Sequence, residues 1–347
     1  MTWMVYGAYG YTGALVAALA SERGELPILA GRDGTLLREL GERLELEHRT
    51  VDLADRAELR RALEGVELVA HCAGPFSATA RPMVDACLET GTHYLDITGE
   101  IDVFESILPR DGEAKDAGVV LLPGAGFDVV PSDCLAAMLA ESLPGAVRLE
   151  LAFRPGGGPS PGTAKTAMEA LGAASRARVG GLVADVPADR RRRTVRFADG
   201  EASVMAISWG DVATAYRSTG IGDIVVYAAL PGAAGPLAAL AAAAGPLARS
   251  RGVQHLLKSV VGRLPGPSPA ARARSGAQLW GQVTDRDGRR VTATMSTPNP
   301  YDLTADAVVT IAQRVVAGGV APGAHTPSSA LGAQFARELV GVKVEIG

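Results

Sequence analysis

The chain has 347 residues, of which 47% are hydrophobic and 21% charged, and its formal net charge is −4. This length predicts about two domains with full hydrophobic cores, and the slight negative charge excludes a global positive field for nucleic acid. The cysteines Cys72, Cys87 and Cys134 are widely spaced, which excludes a disulfide framework or a cysteine zinc site. The N-terminus has no secretion signal, so we expect a cytoplasmic protein.

The first 135 residues alternate short apolar strands with helices. This alternation predicts a Rossmann-type, doubly wound parallel sheet of strand order 3-2-1-4-5-6, with a ligand crevice at the carboxyl ends of the strands. The predicted strands are Thr2–Gly7, Pro27–Ala30, Arg49–Asp52, Glu67–Ala73, His93–Thr98 and Val119–Leu122. The predicted helices are Thr12–Glu22, Thr35–Leu46, Asp55–Leu63, Ala80–Thr90 and Val103–Ala117.

After residue 135 the pattern changes to strands without intervening helices, which predicts a second α+β domain on a mixed or antiparallel sheet. The predicted strands are Val147–Arg154, Thr194–Phe197, Ala202–Trp209, Ile224–Leu230, Ala277–Asp285 and Arg290–Ser296. A last helix is predicted over Asp302–Val316. We therefore expect a nucleotide-binding domain over residues 1–135, a substrate and dimerisation domain over 136–300, and a segment, 301–347, that packs back on the first domain.

Two surface stretches suggest contacts with partners. Residues 224–248 carry no charge, but proline and glycine interrupt them, which favours a dimer surface over a transmembrane span. We therefore expect a homodimer without a transmembrane span, and peripheral membrane contact is the alternative. The run Arg190–Arg193 predicts a solvated loop, with a phosphate or acidic-partner site as the alternative.

A glycine motif lies where the first strand meets the first helix. Residues 7–13, GAYGYTG, fit G-x-x-G-x-x-G. In a dinucleotide site, Gly7 allows the tight turn, Gly10 lets the backbone approach the pyrophosphate, and Gly13 lets the helix lie close to the strand. The N–H groups at the start of the helix would face the phosphate. The predicted cofactor-binding residues of this turn are Gly7, Tyr9, Gly10, Tyr11, Thr12 and Gly13.

The residues at the end of the second predicted strand favour NADP(H) over NAD(H). Small residues stand at the end of the second strand, where an acidic residue would hold the ribose of NAD, and Arg32 follows them. The planar guanidinium of Arg32 is suited to a 2′-phosphate. Asp52 is expected at the adenine rim, and Ala73 and Gly74 would let the cofactor cross the sheet.

Several other chemistries are excluded by the motifs. No tyrosine is followed by lysine four residues later, and there is no G-x-S-x-G or H-E-x-x-H. The histidines lack ligand spacing, so we expect no metal site.

Eight segments together resemble the saccharopine dehydrogenase-like oxidoreductases, and within them the trans-acting enoyl reductases. The segments are GAYGYTG, LAGRD, CAGPF, HYLDITGE, PGAGFDVVPSD, WGDVATAYRSTGI, PYDLTADAV and HTPSSALG. The resemblance implies NADPH-dependent hydride transfer, a Rossmann domain and a second mixed domain. It covers imine reduction by saccharopine-type members and reduction of a C=C bond conjugated to an acyl thioester by the enoyl branch.

Basic residues are few near the likely loops, only Arg154, Lys165 and Arg217, which disfavours a dicarboxylic amino-acid substrate. We therefore favour enoyl reduction of a conjugated, mostly apolar small molecule. A saccharopine-type imine reductase and an NADPH-binding sensor without turnover are the alternatives. Asp128 and Tyr216 are the candidate catalytic residues, as donors or positioning groups. Ser132 and Asp133 are expected to cap the following helix.

Overall fold

The computed structural model describes residues 2–156, 174–229 and 266–347. Its first part alternates strands and helices in chain order. These are β1 (Trp3–Tyr6), α1 (Tyr11–Glu22), β2 (Ile28–Gly31), α2 (Gly34–Leu44), β3 (His48–Thr50), α3 (Arg56–Leu63), β4 (Leu68–His71), α4 (Phe76–Thr90), β5 (His93–Asp96), α5 (Ile101–Ile107), a 3-10 turn (Leu108–Arg110), α6 (Asp111–Ala117) and β6 (Val120–Leu122).

These strands form one parallel sheet, which a short C-terminal strand, β15 (Gly323–Ala324), extends. The order is β15-β6-β5-β4-β1-β2-β3. Every residue of β1, β2 and β4 is buried, as expected for strands covered by helices on both faces. The predicted Rossmann-type fold is therefore confirmed, and its crevice lies at the carboxyl ends of the strands.

Two predicted helices differ from the observed ones. The helix expected over 103–117 is divided into α5, a 3-10 turn and α6, because Pro109 lacks a backbone N–H and cannot continue the α-helical ladder. The helix expected from Ala80 begins instead at Phe76. There the carboxylate of Glu100 accepts hydrogen bonds from the N–H groups of Phe76 and Ser77, at 2.8 and 2.9 Å. This cap comes from a distant residue, so the local sequence gives no signal for it.

The second part of the chain forms a mixed sheet, as predicted. Its elements are α7 (Val130–Ser142), β7 (Arg148–Arg154), β8 (Arg176–Val179), β9 (Leu182–Asp185), a 3-10 turn (Ala188–Arg190), β10 (Arg192–Phe197), β11 (Gly200–Ile207), α8 (Asp211–Thr219), β12 (Asp223–Ala228), α9 (Pro269–Ala273), β13 (Ala277–Thr284), β14 (Arg290–Thr297), α10 (Pro300–Val316), α11 (Pro327–Leu331), a 3-10 helix (Ala333–Glu338) and β16 (Lys343–Ile346). The main order is β10-β11-β12-β7-β13-β14-β16, with β12 and β7 parallel, and the hairpin β8–β9 is paired to β12.

The C-terminal residues join both sheets. Helix α10 packs on α1, and β15 pairs with β6 of the first sheet. Strand β16 instead pairs with β14 of the second sheet, so the expected return of residues 301–347 to the first domain does not account for this strand. One hydrophobic core joins the two parts, with Val5 and Leu29 in the same cluster as Leu135, Leu279 and Phe335.

The arginine run is not the expected loop, although Arg191 and Arg192 are exposed as predicted. Residues 190–193 form the end of a 3-10 turn and the start of β10. The Arg193 guanidinium lies 2.6 Å from a Glu150 carboxylate oxygen and stacks 4.6 Å from the centre of the Trp280 ring. Alternation along a strand turns this side chain toward the sheet, which a count of charges does not reveal.

Of the uncharged stretch 224–248, residues 224–228 lie in β12, and those from 230 onward lie outside the described residues. Within the described ranges, no helix is both long and apolar enough to cross a membrane.

Candidate functional site

The glycine turn brings the ends of β1 and β4 together and seats α1 on the turn. Gly7 has a φ of +80°, and a Cβ placed on it would lie 2.8 Å from the Cβ of Ala73. A Cβ on Gly13 would collide with the carbonyl oxygen of Gly7. Neither position can hold a side chain without moving backbone, because the obstructing atoms belong to or adjoin the main chain.

Gly10 is the N-cap residue of α1 and has an extended conformation, and it has more space around it than Gly13. A Cβ on Gly10 would lie 3.1 Å from the Gly7 carbonyl oxygen, a tight contact that small shifts relieve. Within the described residues no side chain caps α1, and its first turn carries no acidic residue. The N–H groups of Tyr11, Thr12 and Gly13 therefore lack a side-chain acceptor at the positive end of the helix dipole. This cradle fits the pyrophosphate of a dinucleotide.

The two tyrosines of the turn have separate contacts. The Tyr9 ring lies over Gly31 at the end of β2, where a Cβ would come within 2.7 Å of its Cε1 atom. The Tyr11 hydroxyl donates to the carbonyl oxygen of Pro267 at 2.6 Å, and its ring meets Tyr301 edge-to-face at 5.0 Å. Tyr11 is therefore available to a phosphate through its backbone N–H, while its side chain holds the segment before α9.

Arg32 and Asp52 follow β2 and β3, and both lie near the side chain of Tyr6 at the end of β1. The charge of Asp52 raises the pKa of Tyr6, and the charge of Arg32 lowers it, although burial is the largest cause of its rise to about 12. Asp52 accepts the N–H of Ala54 at 3.0 Å. Arg32 is exposed and makes no hydrogen bond or ion pair with the described part of the chain. An unpaired guanidinium at this rim fits a 2′-phosphate.

The crevice continues across β4 and β5. The Ala73 carbonyl oxygen accepts a hydrogen bond from the Thr79 hydroxyl at 2.7 Å, while Gly74 is exposed. The buried carboxylate of Asp96 accepts the Tyr94 hydroxyl at 2.7 Å and the Gly124 N–H at 2.8 Å, which fixes the loop after β6. Burial raises the pKa of Asp96 to about 6.

That loop places Asp128 over the end of β5. A Cβ on Gly99 would lie 3.0 Å from Oδ2 of Asp128, and the carbonyl oxygen of Asp128 accepts the Trp209 indole N–H at 2.7 Å. Its carboxylate has no hydrogen-bond partner in the described part of the chain. Burial raises its pKa to about 7. Asp128 is therefore an acid that can hold a proton near neutral pH.

Asp128 lines a small cavity, of about 10 Å³, between the two parts of the chain. Its walls are mostly apolar and aromatic, and the polar side chains on it include Ser132 and Asp211. The lining residues are Phe127, Asp128, Ser132, Leu151, Ala152, Phe153, Trp209, Asp211, Val226, Leu279 and Trp280.

Tyr216 lies in a different place. It lines a cavity of about 380 Å³ between α5 and α8, where the Arg178 guanidinium stacks 4.2 Å from the centre of its ring. Five residues along α8 rotate the side-chain direction by roughly 140° from Asp211, so the helix turns Tyr216 away from the first cavity. The structure therefore does not bring the two predicted catalytic residues together.

The expected capping role of Ser132 and Asp133 is wrong. Helix α7 begins at Val130, so both residues lie inside its first turn. The buried Asp133 carboxylate accepts the Ser218 hydroxyl and the Ser328 N–H, both at 2.8 Å. It thus joins three of the motif segments, on α7, α8 and α11. Sequence analysis did not predict Asp211 as a site residue. Its only signal was its position in the segment WGDVATAYRSTGI, and the sequence does not show that its side chain is buried.

Comparison with known proteins bears on this nucleotide site. Residues 3–122 match the family described as "Saccharopine dehydrogenase NADP binding domain". These residues are an NADP-binding domain of the saccharopine dehydrogenase family. The resemblance and the NADP(H) cofactor predicted from the sequence are therefore confirmed for this domain.

Relatives of the saccharopine dehydrogenase-like group match part of the chain. A saccharopine dehydrogenase-like oxidoreductase of Mus musculus is 31% identical over 150 residues, which cover 38% of this chain and 35% of that protein. A trans-acting enoyl reductase of Mycobacterium bovis is 34% identical over 140 residues, covering 38% and 33%. The chain thus spans about a third of the length of the curated relatives it matches.

One solved structure shares the whole fold. Saccharopine dehydrogenase (L-Glu forming) of Saccharomyces cerevisiae aligns over 100% of this chain and 99% of its own, with a TM-score of 0.62 and 11% identity. At this identity the likeness shows that both parts of the chain share that architecture.

Proposed function

We propose that this protein is an NADPH-dependent reductase of a conjugated, mostly apolar small molecule, with reduction of an enoyl C=C bond favoured. The observation that carries the proposal is the partly buried Asp128 carboxyl, which lines an apolar cavity at the carboxyl ends of the first sheet and whose pKa desolvation raises to about 7. Reduction of C=C needs a proton donor as well as a hydride, and a carboxyl protonated near neutral pH is such a donor.

In this proposal, residues in different parts of the crevice have different roles. The N–H groups of Tyr11, Thr12 and Gly13 would hold the pyrophosphate, and Arg32 the 2′-phosphate. When bound, NADPH supplies the hydride. Asp128 would give its proton to the carbon next to the substrate carbonyl, and the aromatic walls would exclude water from that carbon.

The residues that line the cavity favour a substrate whose reacting end is uncharged. Within the described residues it carries no lysine or arginine. Arg154 is paired with Asp199, Arg217 lies 3.7 Å from Asp111, and Lys165 is outside the described residues. A dicarboxylic amino acid would need free cations here. By resemblance alone, the relative named as a trans-acting enoyl reductase supports the same substrate class for this chain, with acyl thioesters as its members.

The test is NADPH oxidation by the purified chain with enoyl thioesters, ketones and amine–carbonyl mixtures, followed by absorbance. We expect turnover with enoyl thioesters, and a heat-inactivated sample is the control. Turnover only with amine–carbonyl mixtures would contradict the proposal in favour of an imine reductase. Tight NADPH binding without turnover of any carbonyl compound would favour a sensor.

The proposal extends to organisation. We propose a cytoplasmic homodimer whose second domain, residues 136–300, provides the dimer surface and the substrate pocket, while residues 1–135 bind the cofactor. Light scattering coupled to size-exclusion chromatography measures the mass in solution, and a monomeric mass would contradict the dimer.

A further inference from the structure

A second acid faces the cavity of Asp128. Asp211 stands in the first turn of α8 and is completely buried. Neither of its carboxylate oxygens has a hydrogen-bond partner of normal geometry in the described part of the chain. A buried polar group without a partner costs free energy, so a group retained in this state needs a reason.

The surroundings of Asp211 keep it neutral. The titratable groups near it are Asp128 on the loop after β6 and Asp133 on α7, and both are acids. Strands β7, β12 and β13 contribute Leu151, Val226 and Leu279, which are apolar. Burial, and the charges of these two acids, raise the pKa of Asp211 well above its ordinary value, although the Ser132 hydroxyl lowers it somewhat.

A neutral carboxyl presents an O–H group that needs an acceptor. The Ser132 hydroxyl donates to the Val129 carbonyl oxygen at 3.2 Å, and neither Asp211 oxygen makes a hydrogen bond with it or with another group of the described residues. The cavity in front of Asp211 has room for about 10 Å³, close to the space of one water-sized group. One oxygen atom of a ligand therefore fits between Asp211 and Asp128.

We propose that Asp211, in its neutral form, donates a hydrogen bond to the carbonyl oxygen of the substrate in this cavity. The inference rests on the proposed function, because Asp128 is taken as the acid that protonates the adjacent carbon. The carbonyl oxygen and that carbon are two bonds apart, so two acids on one small cavity can reach both.

The reaction balances with this assignment. The C=C bond gains a hydride from NADPH at its outer carbon, and the electron pair of the double bond moves onto the carbonyl oxygen. Asp211 stabilises the negative charge on that oxygen, as a neutral acid in a dry site can. The pair then forms a C–H bond with the proton of Asp128. The substrate is reduced by two electrons, NADPH is oxidised, and the Asp128 carboxylate regains a proton from solvent.

A structural role would make a different prediction. An acid in the first turn of a helix stabilises the helix dipole in its ionised form. The ionisation state of Asp211 therefore separates the two roles. The measurement is difference infrared spectroscopy of the cofactor-free protein at about pH 8, which is about one unit above the pKa of Asp128. At this pH a protonated Asp211 would show the carbonyl stretch of a neutral carboxyl group. We expect this band in the wild type and in D128N, and its loss in D211N.

Activity and binding complete the experiment with two variants of similar size. D211N keeps an N–H donor, whereas D211L fills the same space without one. With an enoyl thioester we expect kcat to fall about 10²–10³-fold in D211L and less than about tenfold in D211N, with KM nearly unchanged. Circular dichroism checks that both variants fold, and loss of the infrared band in D211N with its persistence in D133N assigns the band to Asp211 rather than to the buried acid on α7.

The outcomes separate this inference from the proposed function. If the wild type reduces no enoyl thioester, but its Asp211 band shifts when a saturated acyl thioester binds, the reduction fails and the donor is supported. If the Asp211 carboxyl is ionised at about pH 8, if its band does not respond to the thioester, or if D211L turns over at the wild-type rate, the donor is rejected whatever the activity.

Discussion

The glycine turn and the acid cavity lie at opposite ends of one crevice, and they are built in different ways. The turn is made of consecutive residues, 7–13, and it acts through backbone atoms. The cavity gathers Asp128 and Ser132 from one region of the chain, Trp209 and Asp211 from another, and its walls from three strands. Local sequence is thus sufficient for the first site, whereas the second exists only after the two sheets have packed together.

The two regions also differ in electrostatics. At the turn, free N–H groups and the exposed Arg32 present positive charge to solvent, which suits phosphates. At the cavity, burial holds protons on carboxyl groups, which suits proton donation. Gly7 adjoins Ala73 after β4, and Asp128 adjoins Gly99 after β5, so the two regions lie at the ends of neighbouring parallel strands. Under the proposed function, one side of the crevice would bind an anion and the other would supply a proton.

The largest expected effect is the loss of NADPH binding when the glycine turn alone is changed. Gly10→Val would place a branched side chain where the pyrophosphate approaches, so we expect NADPH binding to fall below detection. Because the new Cβ would be only 3.1 Å from the Gly7 carbonyl oxygen, small shifts accommodate it and the chain should fold. Titration of NADPH measures the affinity, with circular dichroism as the check on folding.

Gly13→Ala is the matched comparison for that variant. Its Cβ collides with main-chain atoms, so we expect lower stability, by about 1–3 kcal/mol of unfolding free energy. Denaturant titration measures it. Wild-type NADPH affinity in folded Gly10→Val, or unchanged stability in Gly13→Ala, would show that the turn is not arranged around the backbone in this way.

The next effect belongs to the cavity. Asp128→Asn keeps the shape of the side chain but removes its proton, so we expect kcat to fall about 10²–10⁴-fold. NADPH affinity should be unchanged, because the turn does not depend on this residue. Steady-state kinetics with the best enoyl thioester measure kcat, and wild-type turnover in the variant would remove Asp128 from the proposed chemistry.

A smaller effect tests cofactor choice within the first region. A charge-assisted hydrogen bond is worth about 1.5–3 kcal/mol, and about 1.4 kcal/mol is tenfold in affinity. We therefore expect the wild type to prefer NADPH to NADH by about ten- to a hundredfold, and Arg32→Ala to lose most of that preference by weakening NADPH. Titrations with both nucleotides measure it; Arg38→Ala, an exposed arginine on α2, serves as the control. A variant that still discriminates would exclude Arg32 as the phosphate ligand.

The smallest expected effect concerns stability against pH. The pKa of Asp128 is raised on folding from 3.8 to about 7, so the folded state binds more protons than the unfolded state between these values. Its contribution is therefore favourable at low pH and is lost as pH rises from 3.8 to about 7. We expect Asp128→Asn to gain stability relative to the wild type across this window, by at least about 1 kcal/mol. Denaturant titrations at several pH values measure this difference, and a constant difference would mean that Asp128 ionises normally in the folded chain.

The sequence alone determined the first sheet and the cofactor class. Short apolar strands alternating with helices define the parallel sheet, because strands buried on both faces must be apolar throughout. The glycine spacing and Arg32 could be proposed as cofactor ligands because each lies within a few positions of the strand that carries it. The mixed second sheet was also predicted in outline, but the hairpin β8–β9 and helix α8 were not.

The proposed catalytic end was decided by tertiary structure. Nothing near Asp211 in sequence indicates that both of its oxygens are buried, and nothing near Tyr216 indicates that α8 turns it toward another cavity. The same holds for Asp133, whose partners Ser218 and Ser328 are 85 and 195 residues away. The proton affinity of a carboxyl depends on desolvation and on neighbouring charges, and both are properties of packing between distant segments. Residue type and spacing therefore locate the acids, but only the packed core determines which of them hold a proton.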